Sequence, residues 1–118
     1  MQENISIYHE TYMRRCFELA KQGESYVAPN PMVGAVLVYN DRLIGEGFHA
    51  KYGEAHAEVN CVKSVKDEDR HLISSSTLYV SLEPCAHFGK TPPCVDLILQ
   101  NKIPKVVISV QDIFSEVN

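Results

Sequence analysis

The chain has 118 residues and carries 11 Lys plus Arg against 15 Asp plus Glu, a formal charge of −4 at neutral pH. That length accommodates one domain with one core, since compact domains run to about 100 to 200 residues. A chain of this size buries roughly two thirds of its unfolded surface and has no need of disulfides. At 45% hydrophobic and 22% charged it is neither collagen-like, low-complexity nor wholly disordered, and its acidic balance argues against a polycation that coats nucleic acid.

The longest nearly unbroken apolar stretch, 32–39, falls far short of the about 20 residues that cross a bilayer. Residues 1–6 lack the basic-then-apolar pattern of a signal peptide, so a cytoplasmic location is expected. In a reducing compartment the four cysteines, Cys16, Cys61, Cys85 and Cys94, serve as core thiols or metal ligands rather than disulfides.

In chain order, Tyr12, Met13, Cys16, Phe17 and Ala20 recur at helical intervals and predict a helix over 8–22, with Cys16 on its buried stripe. Pro29-Asn30-Pro31 then pins Asn30 in a rigid turn. Residues 33–39 and 43–49 read as a hairpin joined by the polar Asn40-Asp41-Arg42. Glycines 34, 45 and 47 inside it mark bulges or places of close backbone approach.

Residues 56–65 turn helical again, with Cys61 on an apolar face, and 66–76 read as a solvated loop or frayed helix end. A third strand is expected over 77–82, a third helix over 94–101 after Pro92-Pro93, and a fourth strand over 105–110. Strands separated by helices need crossovers and lie parallel in one sheet, with helices on its faces. The fold expected is an α/β sandwich.

Two short segments carry metal-ligand residues at element ends: His56-Ala57-Glu58 at the start of the second helix, and Cys85 through Cys94 between the third strand and the third helix. Ligands of parallel α/β sheets bind beyond the carboxyl ends of strands. His56, Cys85 and Cys94 supply the imidazole and thiolates that zinc prefers, and three protein ligands leave a fourth corner for water. Zinc lowers the pKa of such a water to about 7, and a neighbouring carboxylate that is not a ligand, Glu58, can move its proton. Residues two apart converge only at the first turn of a helix. A second reading stays open, in which His56, Cys85, His87 and Cys94 close a purely structural zinc site and Glu58 is an ordinary acid favoured by the helix dipole.

His56-Ala57-Glu58 with Pro84-Cys85 and Cys94 resembles the zinc-dependent cytidine deaminase superfamily. The fuller stretch Glu83-Pro84-Cys85-Ala86-His87-Phe88-Gly89-Lys90-Thr91-Pro92-Pro93-Cys94 resembles its diaminohydroxyphosphoribosylaminopyrimidine deaminase domains of riboflavin biosynthesis. Asn30-Pro31-Met32-Val33-Gly34-Ala35-Val36 and residues 49–58 agree with the same pattern.

The resemblance implies a three-layer α/β/α cytidine-deaminase-like fold with a mixed sheet. It implies Zn2+ on His56, Cys85 and Cys94, and Glu58 as the catalytic proton shuttle. It places Asn30, His49, His87 and Lys90 around a phosphorylated pyrimidine, although His49 taken alone reads as a solvated strand end. Residues 110–118 depart from the family's usual segment after the fourth strand, so 1–118 is expected to be a deaminase domain without the C-terminal part of that fold or a reductase domain.

The implied activity is hydrolytic deamination of 2,5-diamino-6-(5-phosphoribosylamino)pyrimidin-4-one. The implied partners are a small-molecule substrate, a second copy of the chain, and a reductase, fused or separate, with neither nucleic acid nor membrane. Two alternatives remain: a nucleotide or tRNA base deaminase of the same fold, and a non-catalytic zinc-stabilised module. Eight residues separate Cys85 from Cys94, and that spread, with the negative charge, weighs against a tRNA substrate.

Overall fold

A computed structural model describes residues 2–23, 32–50, 56–82 and 95–110. The elements are α1 (Gln2–Lys21), β1 (Gly34–Tyr39), β2 (Arg42–Phe48), α2 (Ala57–Lys63), a 3-10 helix (Asp67–Ser75), β3 (Thr77–Leu82), α3 (Val95–Gln100) and β4 (Lys105–Val110). Strand order in the sheet is β2-β1-β3-β4. β1 is antiparallel to both its neighbours, and β3 and β4 run parallel.

The helical crossovers therefore join strands of the same direction, as expected. What the sequence did not order is the insertion of β1 between β2 and β3. The hairpin turns at Asn40 and Asp41, whose φ values of 50° and 65° give the left-handed two-residue connection that matches strand twist. A bulge follows: Leu37 pairs with Gly45 and Val38 with Leu43, which leaves Ile44 as the extra residue, buried in the core.

Period-two alternation divides the sheet's side chains between two cores. On one face Ala35, Leu37, Leu78 and Val80 pack with Ala57, Cys61, Val62 and Val65 of the α2 region and with Ile73. On the other face Val36, Val38 and Tyr79 pack with Met13, Cys16 and Leu19 of α1. The result is the expected three layers. Both described cysteines are free and buried, and burial pushes the Cys16 thiol up to about 12 and raises that of Cys61 as well. Both are core thiols, as their positions on apolar stripes predict.

Two strand glycines show why the layers sit so close. A Cβ on Gly34 would lie 2.0 Å from the carbonyl oxygen of Cys16, and one on Gly47 would lie 2.3 Å from the Cys61 nitrogen and 2.6 Å from the Ala57 oxygen. Only glycine lets α1 and α2 rest on the strand backbones at these points.

Several bounds differ from expectation. α1 begins at Gln2 rather than at residue 8, because Gln2, Glu3, Asn4 and Ser6 offer no apolar stripe by which to see it. α3 runs from Val95 to Gln100 rather than over 94–101, and α2 ends at Lys63 rather than at 65.

Residues 66–76, expected as a solvated loop or frayed helix end, form a separate 3-10 helix, Asp67–Ser75. Acidic residues in its first turn suit the helix dipole, and Ile73 anchors it in the core. Arg70 donates to the Val62 and Val65 carbonyls at 3.3 Å each, capping the end of α2. Among the described residues, no helix is long and apolar enough to cross a membrane.

Candidate active site

Because β1 is antiparallel to both neighbours, the chain enters β1 and leaves β2 and β3 at one end of the sheet. Gly34 at the start of β1 pairs with Phe48 near the end of β2 and with Ser81 near the end of β3. The Gly34 N–H also donates to the buried Ser81 hydroxyl at 3.1 Å. His49 thus lies at the end of the sheet where the chain enters β1 and leaves β3. This is the end beyond which α/β sheets bind ligands.

His49 follows β2 directly. Its N–H donates to the Val33 carbonyl at 3.1 Å, which extends the hairpin pairing past the strand, and the residue is only 3% exposed. A solvated strand end is therefore not what His49 is. His56 is the N-cap residue of α2, extended at φ −75° and ψ 167°, and its side chain makes no cap hydrogen bond. The two imidazoles meet edge to face with centroids 5.5 Å apart and planes at 86°.

Glu58 stands in the first turn of α2 and is 4% exposed. Carboxylates are rarely buried without a paired or functional reason. Its position two residues after His56 fits the first-turn geometry that the sequence required. His49, His56 and Glu58 are thus gathered at the start of α2.

Asn30, Cys85, His87, Lys90 and Cys94 lie outside the described residues. Among the described residues alone, no three His, Cys, Asp or Glu side chains cluster to hold a metal ion. On the chemistry of its donors, a set of one imidazole and two thiolates suits zinc, and the exposed His56 imidazole at the head of α2 is of the type that such a set needs.

One residue escaped the sequence reading. Asn60 Nδ2 donates to the Phe48 carbonyl at 2.9 Å, binding α2 to the end of β2. Its signal was its spacing, four residues after His56 and so on the same helix face, together with the poor helix propensity of asparagine in an interior turn.

The sequence profile of the cytidine and deoxycytidylate deaminase zinc-binding region matches residues 6–110. The chain belongs to this family. It is 50% identical over 101 residues to the diaminohydroxyphosphoribosylamino-pyrimidine deaminase of Buchnera aphidicola subsp. Schizaphis graminum, covering 86% of this chain and 66% of that protein. It is 48% identical over 103 residues to the riboflavin biosynthesis protein RibD of Bacillus amyloliquefaciens, covering 87% of this chain but 27% of that one.

Among solved structures, a diaminohydroxyphosphoribosylaminopyrimidine deaminase/5-amino-6-(5-phosphoribosylamino)uracil reductase from Thermotoga maritima superposes with a TM-score of 0.71 at 47% identity, over 86% of this chain and 29% of its own length. The dCMP deaminase of cyanophage S-TIM5, at TM-score 0.58 and 19% identity, shares the fold. The chain thus spans from about a quarter to just under two thirds of the curated relatives named here.

Proposed function

We propose that this chain is the deaminase domain of riboflavin biosynthesis, hydrolysing the ring amino group of 2,5-diamino-6-(5-phosphoribosylamino)pyrimidin-4-one to the corresponding pyrimidinedione and ammonia. The observation that carries the reading is the buried Glu58 side chain in the first turn of α2, two residues after His56, whose imidazole meets that of His49. The names of the relatives supply the substrate class.

His56, Cys85 and Cys94 would hold a zinc ion. When bound, zinc acts as a Lewis acid that makes water nucleophilic near neutral pH. Glu58 takes one proton from the attacking water and gives it to the ring nitrogen, then carries the second proton of that water, from the newly formed hydroxyl, to the departing amine. The carbon–oxygen bond forms first and the carbon–nitrogen bond then breaks, so one water is consumed for each ammonia released. Burial of Glu58 keeps bulk water from competing for that proton.

His49, with Asn30, His87 and Lys90, would bind the base and the ribose phosphate, cationic groups being needed for a phosphate on an acidic chain. The setting is cytoplasmic, which keeps Cys16 and Cys61 reduced. The partner of the reaction sequence is a reductase, fused or separate, and the chain assembles as a homo-oligomer.

Zinc analysis joined to an ammonia-release assay on the phosphorylated pyrimidine, dCMP and tRNA tests the reading. One zinc per chain with release from the pyrimidine alone is expected. Release from dCMP or tRNA instead would transfer the function to another deaminase class, and a zinc-bound protein inert on all three would mark a structural module.

A further inference from the structure

Asn60 is bonded in two directions. Its N–H donates to the His56 carbonyl at 3.0 Å, in the first turn of α2, while its side-chain amide donates at 2.9 Å to the Phe48 carbonyl. That carbonyl belongs to the peptide leading into His49, whose own N–H is held by Val33 at 3.1 Å. The Phe48–His49 peptide plane is therefore fixed at both its oxygen and its nitrogen. Fixing a peptide plane restricts the torsions beside it, and these decide where the His49 side chain points. The close approach of α2 to Gly47 brings the Asn60 amide within reach.

We propose that Asn60 is a positioning residue that sets the His49 imidazole edge-on against His56, and so determines how tightly substrate binds. It acts through His49 and makes no contact with substrate. This inference rests on the reading of His49 as a substrate-binding group. His56 and Glu58 are carried by α2 itself, so the chemical step survives loss of the tether while the placement of His49 does not.

Asn60→Asp is isosteric but turns an acceptor toward the Phe48 carbonyl, Asn60→Ala deletes the donor without repulsion, and Asn60→His returns an N–H near the same place. In the zinc-loaded chain, Asn60→Asp and Asn60→Ala are expected to raise KM about tenfold, the value of one hydrogen bond at a binding group, with kcat and zinc content unchanged. Asn60→His restores KM. The nuclear Overhauser contact between the His49 and His56 ring protons, read in the same proteins whatever their activity, is expected to vanish in the first two variants and return in the third.

A folded Asn60→Ala that keeps both KM and the ring-to-ring contact overturns the proposal, as does a fall in kcat at constant KM. A wild-type chain that releases no ammonia sinks the reaction reading. The ring contact then still decides whether Asn60 is the tether.

Discussion

The two ends of the sheet handle polar groups in opposite ways. At the end where β1 turns into β2, they meet near the surface. Arg42 reaches Asp69 at 3.2 Å, and the Tyr12 hydroxyl donates to Asp41. At the end where the chain leaves β2 and β3, two titratable side chains are withdrawn from solvent, His49 and Glu58 at 3% and 4% exposed, beside an exposed His56. An exposed pair adds little stability, whereas a buried titratable group costs stability unless it is matched. The difference teaches that the second end keeps buried titratable groups at a cost in stability, the kind of trade found at functional sites.

Glu58→Gln breaks the comparison hardest. Ammonia release is expected to fall by at least about 100-fold, the range for loss of a general acid–base, while zinc content stays at the wild-type level. Thermal unfolding should shift little or upward, because a buried carboxyl group has been replaced by an amide of the same shape. A variant that unfolds early would make Glu58 a structural acid.

Gly34→Ala strikes the scaffold that both ends share. The added methyl would enter the carbonyl of Cys16, so α1 must lift from the sheet. A loss of about 3 kcal/mol or more in urea unfolding is expected, in the upper range for overpacking. A near-neutral result would mean that α1 moves freely on the sheet.

The sheet and its helices were legible because burial writes a period into sequence. β3 and β4 fall at the expected residues, and Cys16 and Cys61 were placed in the core by their neighbours. The 3-10 helix was not legible. Its charged residues look like a loop, and only Ile73 with the reach of Arg70 to the end of α2 shows otherwise. The place of β1 between β2 and β3 could not be read either, since local pattern fixes a strand but not its neighbours.

At the candidate site, the place of His56 and Glu58 at the start of α2 was legible from the helical pattern that follows them. The burial of His49 was not, because it depends on Val33 and on α2 packing over the end of β2. Asn60 was overlooked for the same reason, its bond to Phe48 spanning elements.

Smaller effects sharpen the contrast at the turn end. Arg42→Ala is expected to cost no more than about 1 kcal/mol in urea unfolding, the range for an exposed pair, and the cost should shrink with added salt. A larger, salt-insensitive loss would make that end as structural as the core.

The smallest effect concerns acid. His9 titrates below its ordinary 6.5, first through burial and then through Lys105. As pH falls from 6.5, the unfolded chain takes up this proton before the folded one, so stability declines toward acid and is regained as pH rises. His9→Gln should flatten that slope between pH 6.5 and the lower folded value, as followed by thermal unfolding across pH. An unchanged slope would assign it to other groups.

The exposed two-residue turn at Asn40 and Asp41 lies at the far end of the hairpin from His49 and His56. It therefore offers an engineering port. A fluorescent reporter or affinity peptide spliced there, or new chain termini opened there, would leave the strand ends that frame the chemistry in register.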